Sequence, residues 1–367
     1  ALNLLSVYVN KWQIQLKNNA NIFCSFVILA LGGFLKDPFE HLQKHPHYYT
    51  SLFDLKNEEN TLLNAQSIGI IGTRLSAIDA SSQLIQLGYK GKIYMASRSG
   101  FLPSVKNFHY AYKPKIVTLD CIRRLTNNFT HEIALNDFIN LLKAEIELAS
   151  GKSIQWSKIF ERHMFKISWL KWQIAMAKNE RVLWSSILAS IDDTVVIVWN
   201  LLSDNDRQIF EKKYAFFWNL YRFSMPLDSA CQLLSLMNKE KLTICANVSA
   251  PFLYNNIFHF HGQNCKNGKN ISVTADALIN TCGINYHLNS VDSLLIKNII
   301  KNKISTPNMN GGFELNTENF MIKDQLYALG DLTKGKSFIT NSYLLCSKQA
   351  SAVAKDILEI IKKHDIK

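Results

Sequence analysis

The stretch from Ser67 to Asp79 constrains the fold of this chain more than any other, because it reads as a strand that turns directly into a helix. Ile68, Ile70 and Ile71 form an apolar run that ends at Gly72, and helical spacing follows through Leu75, Ile78, Leu84 and Leu87. A second run, Lys92-Ile93-Tyr94-Met95-Ala96, ends at Ser97-Arg98, about 25 residues after Gly72. This is the layout of the first βαβ unit of a dinucleotide-binding domain, in which a pyrophosphate rests on the helix N-terminus. A cation at the end of the second strand suits the 2′-phosphate of NADP, where NAD binders usually carry Asp or Glu. Redox chemistry with NADP is therefore the expectation.

One residue departs from the pattern. The fingerprint Gly-x-Gly-x-x-Gly/Ala reads here Gly72-Thr73-Arg74-Leu75-Ser76-Ala77. Gly72 can make the tight turn, and Ala77 is small enough for close helix–strand packing. Arg74 puts a side chain where the backbone should approach the pyrophosphate. Either it swings out and pairs with a phosphate, or it blocks the site and leaves a strand–turn–helix that holds no nucleotide.

Composition narrows the class. The chain has 367 residues, enough for two domains, and its 47% hydrophobic content excludes wholesale disorder. The longest apolar run, Ile22 to Leu31, is too short to span a bilayer and is followed by Gly32-Gly33, so it reads as a buried strand. No signal peptide is evident, and no membrane partner is expected. The seven cysteines are scattered without a Cys-x-x-Cys pair, which fits a reducing cytoplasm with thiols acting as small core residues. The net charge of +12 is spread along the chain, often beside asparagines, as in Lys297-Asn298-Ile299-Ile300-Lys301-Asn302-Lys303. No nucleic-acid recognition motif accompanies it, so an anionic cofactor or substrate is the better match than nucleic acid.

Along the chain, Lys11 to Leu16 alternates as a half-exposed strand, Asn18-Asn19 turns, and Phe23 to Leu31 returns as a buried one. Such a hairpin normally belongs inside a domain, so further sequence upstream is expected. A polar connector through Asn57-Glu58-Glu59-Asn60 leads to the dinucleotide unit. From Asn107 to Asn238 long helical patterns take over. Asn136 can cap a helix with Phe138, Leu141, Leu142 and Leu148 on its apolar face, closing at Gly151. Trp169, Trp172, Trp184, Trp199 and Trp218 recur among aliphatic residues and read as core of a helical insertion. Strands return at Leu242–Ala246 and at Ile257 to His261, where Asn267-Gly268 signals a type I′ hairpin with Ile271-Ser272-Val273 as its other arm. His259 and His261 share a strand face, and without a third ligand they read as exposed positions. Ala275 to Gly283 is another buried strand ending in glycine, echoing Phe26 to Gly32. Leu326-Tyr327-Ala328-Leu329-Gly330-Asp331 leads through a loop to a helix from Ser342 to Lys362.

Taken together, these pieces resemble flavoproteins with two dinucleotide-binding domains, and more narrowly the FAD/NAD(P)-binding proteins related to flavin-dependent N-monooxygenases and urate or aspartate hydroxylases. The resemblance covers nearly the whole chain. It rests on Ile70-Ile71-Gly72-Thr73-x-Leu75-Ser76-Ala77-Ile78-Asp79, on Ser97-Arg98-Ser99-Gly100-Phe101-Leu102-Pro103, and on Leu326 to Gly335. It implies an α/β fold with two Rossmann-like three-layer domains, the FAD one incomplete and discontinuous, and a helical insertion. Residues 1–64 would be a remnant of the FAD domain with a linker, and 65–106 the first part of the NAD(P) domain. The insertion would take 107–238, the rest of the NAD(P) domain 239–282, and the C-terminal part of the FAD domain 283–367. The resemblance further implies that Gly32 and Gly283 mark strand ends near cofactor, and that the Asp331 carboxylate after Gly330 accepts hydrogen bonds from the flavin ribitol. The helix that follows would aim its N-terminal dipole at the flavin pyrimidine.

The family opens with a Gly-x-Gly-x-x-Gly strand for the ADP part of FAD, and nothing before Trp12 supplies one. Three readings follow. The chain is an FAD-dependent oxidoreductase that takes hydride from NADPH and passes electrons to oxygen, as a monooxygenase on a small-molecule substrate, or to another acceptor. Alternatively it is an inactive or split fragment acting as a binding or regulatory subunit, with a partner chain supplying the missing segment. A nicotinamide-only dehydrogenase leaves Gly330-Asp331 without a role. No catalytic residue and no metal ligand can be named.

Overall fold

β-Branched and apolar residues buried on both faces make β6 (Ser67–Ile71) a central parallel strand rather than a half-exposed one. In the computed structural model, which describes residues 3–8, 11–51, 54–55, 58–106, 112–160, 165–179 and 184–365, the chain divides into two units. Unit 1 comprises Ala1–Lys36, Asp193–Ser203 and Ile284–Lys367, and unit 2 comprises Asp37–Asp192 and Asp204–Gly283. Ala1, Asn57, Asn107 and Lys367, which figure in the sequence reading, lie outside the described residues.

In chain order, unit 1 begins with β1 (Asn3–Tyr8), β2 (Lys11–Gln15), β3 (Asn21–Cys24) and β4 (Val27–Leu29). Unit 2 continues with β5 (Tyr48–Tyr49), α1 (Glu59–Asn64), β6, α2 (Leu75–Gln86), β7 (Lys92–Ala96) and β8 (Val105–Lys106). The helical stretch holds α3 (Leu119–Leu125), α4 (Leu135–Ser150), α5 (Trp156–Phe160), α6 (Ile167–Lys178), α7 (Trp184–Ser190), α8 (Asp192–Leu201), α9 (Asp204–Lys213) and α10 (Ala215–Arg222). It closes with β9 (Met225–Pro226) and α11 (Leu227–Asn238), and β10 (Leu242–Ala246) then returns to the sheet. After it come β11 (Phe252–Tyr254), β12 (Ile257–Asn264), β13 (Asn270–Ala275) and β14 (Ala277–Asn280). Back in unit 1 are α12 (Leu294–Lys301), β15 (Met321–Lys323), β16 (Leu326–Ala328) and α13 (Tyr343–Asp365).

The large sheet of unit 2 runs β11-β12-β10-β7-β6-β14-β5, with β13 paired to β12. Its parallel strands β10, β7, β6 and β14 have the doubly wound order 3-2-1-4, and the order reverses between β6 and β14. Ile68 and Ile70 face a core that includes Ala77, Ile78 and Leu84 of α2 and Leu233 of α11. On the opposite face Ile71 packs with Tyr48, Phe258, Phe260 and Leu278. The third layer is therefore built largely by the β12–β13 ribbon, where three-layer packing would place helices. Gly268 takes the left-handed conformation in that hairpin but Asn267 does not, so the loop is longer than the type I′ turn expected.

In unit 1, β1-β2-β3 form an antiparallel sheet, and β15-β16-β4 a second one in which β16 and β4 run parallel. Leu4, Trp12, Val27, Leu29, Ile296, Phe313, Leu326 and Ala328 share its core, and the Trp12 indole donates to the Asp324 carbonyl at 2.9 Å. The apolar run Ile22 to Leu31 is not one buried strand. It breaks at Ser25-Phe26 into β3 and β4 in different sheets, and Phe23 is 65% exposed. Unit 1 also takes in most of α8. Its Trp199 stacks on Phe338 at 4.7 Å and donates to the Gly335 carbonyl at 3.2 Å.

The helix expected to be capped by Asn136 begins two residues earlier, at Leu135, with Ala134 at its N-cap and no side-chain cap, and it still ends at left-handed Gly151. Leu148 is exposed, and its expected place on the buried face is taken by Ile146 and by Glu145, which is fully buried. The Glu145 carboxylate accepts the Tyr112 hydroxyl and the backbone N–H groups of Lys115, Ile116 and Val117. Burial alone would raise its pKa, but these donors outweigh burial and hold it below the ordinary 4.5. The folded pKa is depressed, so this stabilisation is full above the unfolded value and is lost as the pH falls through the folded one. Glu145→Ala should cost about 3 kcal/mol in urea denaturation at pH 7, and the deficit should shrink on acidification below pH 4.5.

Candidate functional site

The carboxyl ends of three parallel strands fall in one row. Ile71 of β6 is opposite Ala96 of β7, and Ala96 is opposite Cys245 of β10. The next residues are Gly72, Ser97 and Ala246, at the edge where open α/β sheets bind their ligands.

Gly72 lies at the point where the strand order reverses. Its N–H donates to the Ala96 carbonyl at 2.8 Å, and its φ of +143° is costly for residues with a side chain. A Cβ there would sit 2.1 Å from Thr281 Oγ1 and 2.9 Å from the Thr281 carbonyl, so glycine also lets the loop close against β14. Thr281 returns its N–H and hydroxyl to the Ile71 carbonyl at 3.0 and 2.8 Å. Thr73 is buried, and its hydroxyl meets Ser97 Oγ at 2.9 Å and the Phe101 carbonyl at 2.8 Å. Ser97 Oγ accepts the Gly100 N–H at 3.0 Å. The loops after β6 and β7 are thus one hydrogen-bonded unit.

Helix α2 begins at Leu75, with extended Arg74 at its N-cap position and no side-chain cap. The Arg74 carbonyl accepts the N–H groups of Ala77 and Ile78, while among the described residues those of Leu75 and Ser76 have no acceptor. The Arg74 guanidinium packs over Phe216 at 5.1 Å, within a cluster that includes Phe101, Phe165 and Trp169. Its Nη1 is buried without a hydrogen-bond partner. Burial lowers its pKa to about 10, which leaves it charged at neutral pH. A charged residue with a buried, unsatisfied donor at the N-cap of a helix with free N–H groups fits an anion. Arg98 is exposed and makes no hydrogen bond or ion pair with its side chain among the described residues, while its carbonyl accepts the Asn247 N–H at 3.0 Å.

In unit 1 the paired ends of β4 and β16 bring Gly32 close to Gly330 and Asp331 in register, since Leu29 is opposite Ala328. Gly32 and Gly330 have φ of +71° and +65°, and no atom lies within 4 Å of where a Cβ would stand on either. Asp331 Oδ1 accepts the Thr340 hydroxyl at 2.6 Å, and among the described residues Oδ2 has no donor. Gln349 of α13 braces the turn: its Oε1 accepts the Gly330 N–H at 2.9 Å, and its Nε2 donates to Thr333 and Ser337. A free carboxylate oxygen beside two side-chain-free positions fits a polyhydroxyl chain. The dipole expected after Gly330-Asp331 does not come at once, because a 3₁₀ turn at Gly330–Thr333 precedes α13. Gly283 closes unit 2 after β14, in a left-handed conformation.

Sequence reasoning missed Phe216 beneath Arg74, Gln349 behind Gly330 and Thr281 against Gly72, since none adjoins its partner in sequence. Cys245 and Cys265 stay protonated in the core, pushed up to about 12 and about 11, chiefly by burial. His259 stacks on Phe252 at 5.4 Å. Among the described residues, no group of three or more potential ligands could hold a metal, and no helix is long and apolar enough to cross a membrane.

No protein-family profile and no curated protein matches the chain. Solved structures do match. L-lysine 6-monooxygenase from Pseudomonas syringae superimposes with a TM-score of 0.58 at 11% identity, covering 97% of this chain and 70% of that one. The reduced form of ornithine hydroxylase from Pseudomonas aeruginosa gives 0.50 at 12% identity, covering 96% and 68%. The fold is similar to that of these two enzymes. At these identities the likeness speaks for architecture alone, a mixed α/β fold similar to two-domain flavoproteins.

Gly72→Ala should lower stability by about 2 kcal/mol, read from the urea midpoint, because it combines backbone strain with the approach to Thr281.

Proposed function

We propose that this chain is an NADPH-using, FAD-dependent oxidoreductase of the N-monooxygenase type, acting on a small-molecule substrate. The observation that carries the reading is Arg74 at the N-cap of α2: its Nη1 is buried without a hydrogen-bond partner, and the Leu75 and Ser76 N–H groups have no acceptor, among the described residues. It answers the objection that Arg74 replaces a fingerprint glycine: here the side chain serves as a phosphate ligand. Gly72 to Ala77 would hold the pyrophosphate, with Gly72 shaping the turn and Ala77 admitting α2 close to the sheet. Ser97 and Arg98 would take the 2′-phosphate, as a cation at the end of β7 allows.

Gly32, Gly330 and Asp331 are assigned to FAD, with Asp331 Oδ2 accepting ribitol hydroxyls. When bound, FAD supplies hydride acceptance from NADPH and electron transfer to oxygen or another acceptor. The part of the protein is to bind and orient: Thr340 and Gln349 hold the Asp331 turn, and Thr73 and Ser97 hold the nucleotide loops.

A second reading concerns the ADP part of FAD. Among the described residues the β15-β16-β4 sheet has three strands, and Ile28 of β4 is exposed, as are Ile22 and Phe23 of β3. This favours a further strand-bearing segment, on the same polypeptide or a partner chain, that completes the flavin site; without it the chain would act as a binding subunit.

Arg98→Glu should weaken NADPH about 30-fold while leaving NADH within about threefold, measured by equilibrium titration. Equal losses for the two would overturn the 2′-phosphate assignment. Arg74→Ala should weaken both nucleotides together.

A further inference from the structure

The two ends of the large sheet of unit 2 are finished differently. At one end β5 has two residues, Tyr48 and Tyr49, and both are buried. At the other, β11 pairs with β12 alone among the described residues, and Phe252, Leu253 and Tyr254 are all exposed. An open row of N–H and C=O groups accepts another strand, so proteins blunt such edges with Lys, Pro or a bulge. None of these falls between Phe252 and Tyr254. The turn decides which backbone groups are open. Asn255 and Asn256 have φ of +49° and +63°, a type I′ turn that makes Tyr254 and Ile257 the hydrogen-bonded pair closing the hairpin. Antiparallel pairs alternate, so Leu253, opposite Phe258, points its N–H and C=O away from β12. Among the described residues neither group has a partner. The hairpin is also held in place. His45 accepts the His47 N–H at Nδ1, which leaves Nε2 to donate to Asn256 Oδ1 at 3.0 Å, and His41 Nε2 donates to the Pro251 carbonyl at 3.2 Å.

We propose that β11 is the interface of a two-fold dimer, in which this chain pairs edge to edge with a second copy of itself. A two-fold axis at Leu253 lets its N–H and C=O exchange hydrogen bonds with the same groups of the partner subunit. Phe252 then lies opposite Tyr254 of the partner subunit, and Tyr254 opposite the partner subunit's Phe252, an aromatic pair on each side of the axis. The leucines meet on the other face. The strand is thus its own complement, whereas a foreign strand would have to supply the same aromatic spacing. Charge favours the same partner. From Leu242 to Cys265 the sequence holds no Asp, Glu, Lys or Arg, and β13 adds none. Between two copies of net charge +12, contact along this ribbon sets no like charges of its strands face to face. A lipid surface fits less well, because the Asn255-Asn256 turn is polar and docks onto His45. Phe252, Leu253, Tyr254 and Ile257 offer roughly 300 Å² of apolar surface per copy, below the about 800 Å² per partner of a stable interface. The dimer therefore forms and separates readily, in the micromolar range.

Sedimentation velocity on the full chain, from about 1 to about 200 µM, tests this. The wild-type chain should pass from monomer to dimer with a midpoint of tens of micromolar. Added salt should lower that midpoint, because it screens the repulsion between two positively charged copies. Leu253→Pro keeps an apolar side chain and every bond to β12 but removes the outward N–H, and should raise the midpoint at least tenfold. Leu253→Ala keeps the N–H and should raise it only about threefold. Thermal melting reports whether each variant folds. Leu253→Cys serves as the independent check: under mild oxidation it should link two copies through position 253, identified by peptide mass spectrometry. A wild-type chain that stays monomeric throughout would overturn the proposal and leave the edge to a foreign strand. Equal losses for the folded Pro and Ala variants, or a dimer that oxidation does not link through position 253, would overturn it as well.

Discussion

The close approach of Gly72 to Thr281 is the constraint on which the β6–α2 unit depends. It fixes where β6 ends relative to β14 at the reversal of strand order, and so where α2 begins. A side chain at position 72 would push the loop off Thr281 and break the row formed with Ser97 and Ala246. Everything that could meet a nucleotide depends on that row: the free N–H groups of Leu75 and Ser76, the Thr73–Ser97 link, and Arg98 at the end of β7. Arg74 follows from the same geometry. Held at the N-cap position, it lies against Phe216 and stays charged though largely buried, a state that leaves its orphaned donor in search of an anion.

Unit 1 repeats the device with different chemistry. Two parallel strands, β4 and β16, end at glycines with free space around them, and a carboxylate replaces the guanidinium. The Asp331 turn is held because Thr340 donates to Asp331 and Gln349 bonds both the Gly330 N–H and Thr333, while Trp199 from the helical stretch stacks on Phe338. The ends of β4 and β16 are thus prepared in detail, while Ile28 of β4 itself and Phe23 of β3 are exposed.

The strand–turn–helix at Gly72 was legible because its signals are local: an apolar run, a glycine and a helical period within a short window. The strand ends at Gly32 and Gly330 were legible for the same reason, and the two-domain α/β architecture followed from them. What sequence could not reveal are pairings between distant residues. Apolarity alone does not tell β3 from β4, since the break at Ser25-Phe26 is set by which sheet each joins. Glu145 looks like any surface carboxylate until the loop at Lys115 to Val117 folds over it. Trp199 reads as part of the helical insertion, yet it packs in unit 1.

The most direct measurement is the visible absorption spectrum of the purified chain, before and after addition of FAD and then of NADPH under anaerobic conditions. The account predicts a bound-flavin spectrum that bleaches with NADPH and much more slowly with NADH. Absence of flavin uptake, with no rescue by a co-expressed segment carrying the ADP-binding strand, would contradict it and leave a fold that has outlived its chemistry.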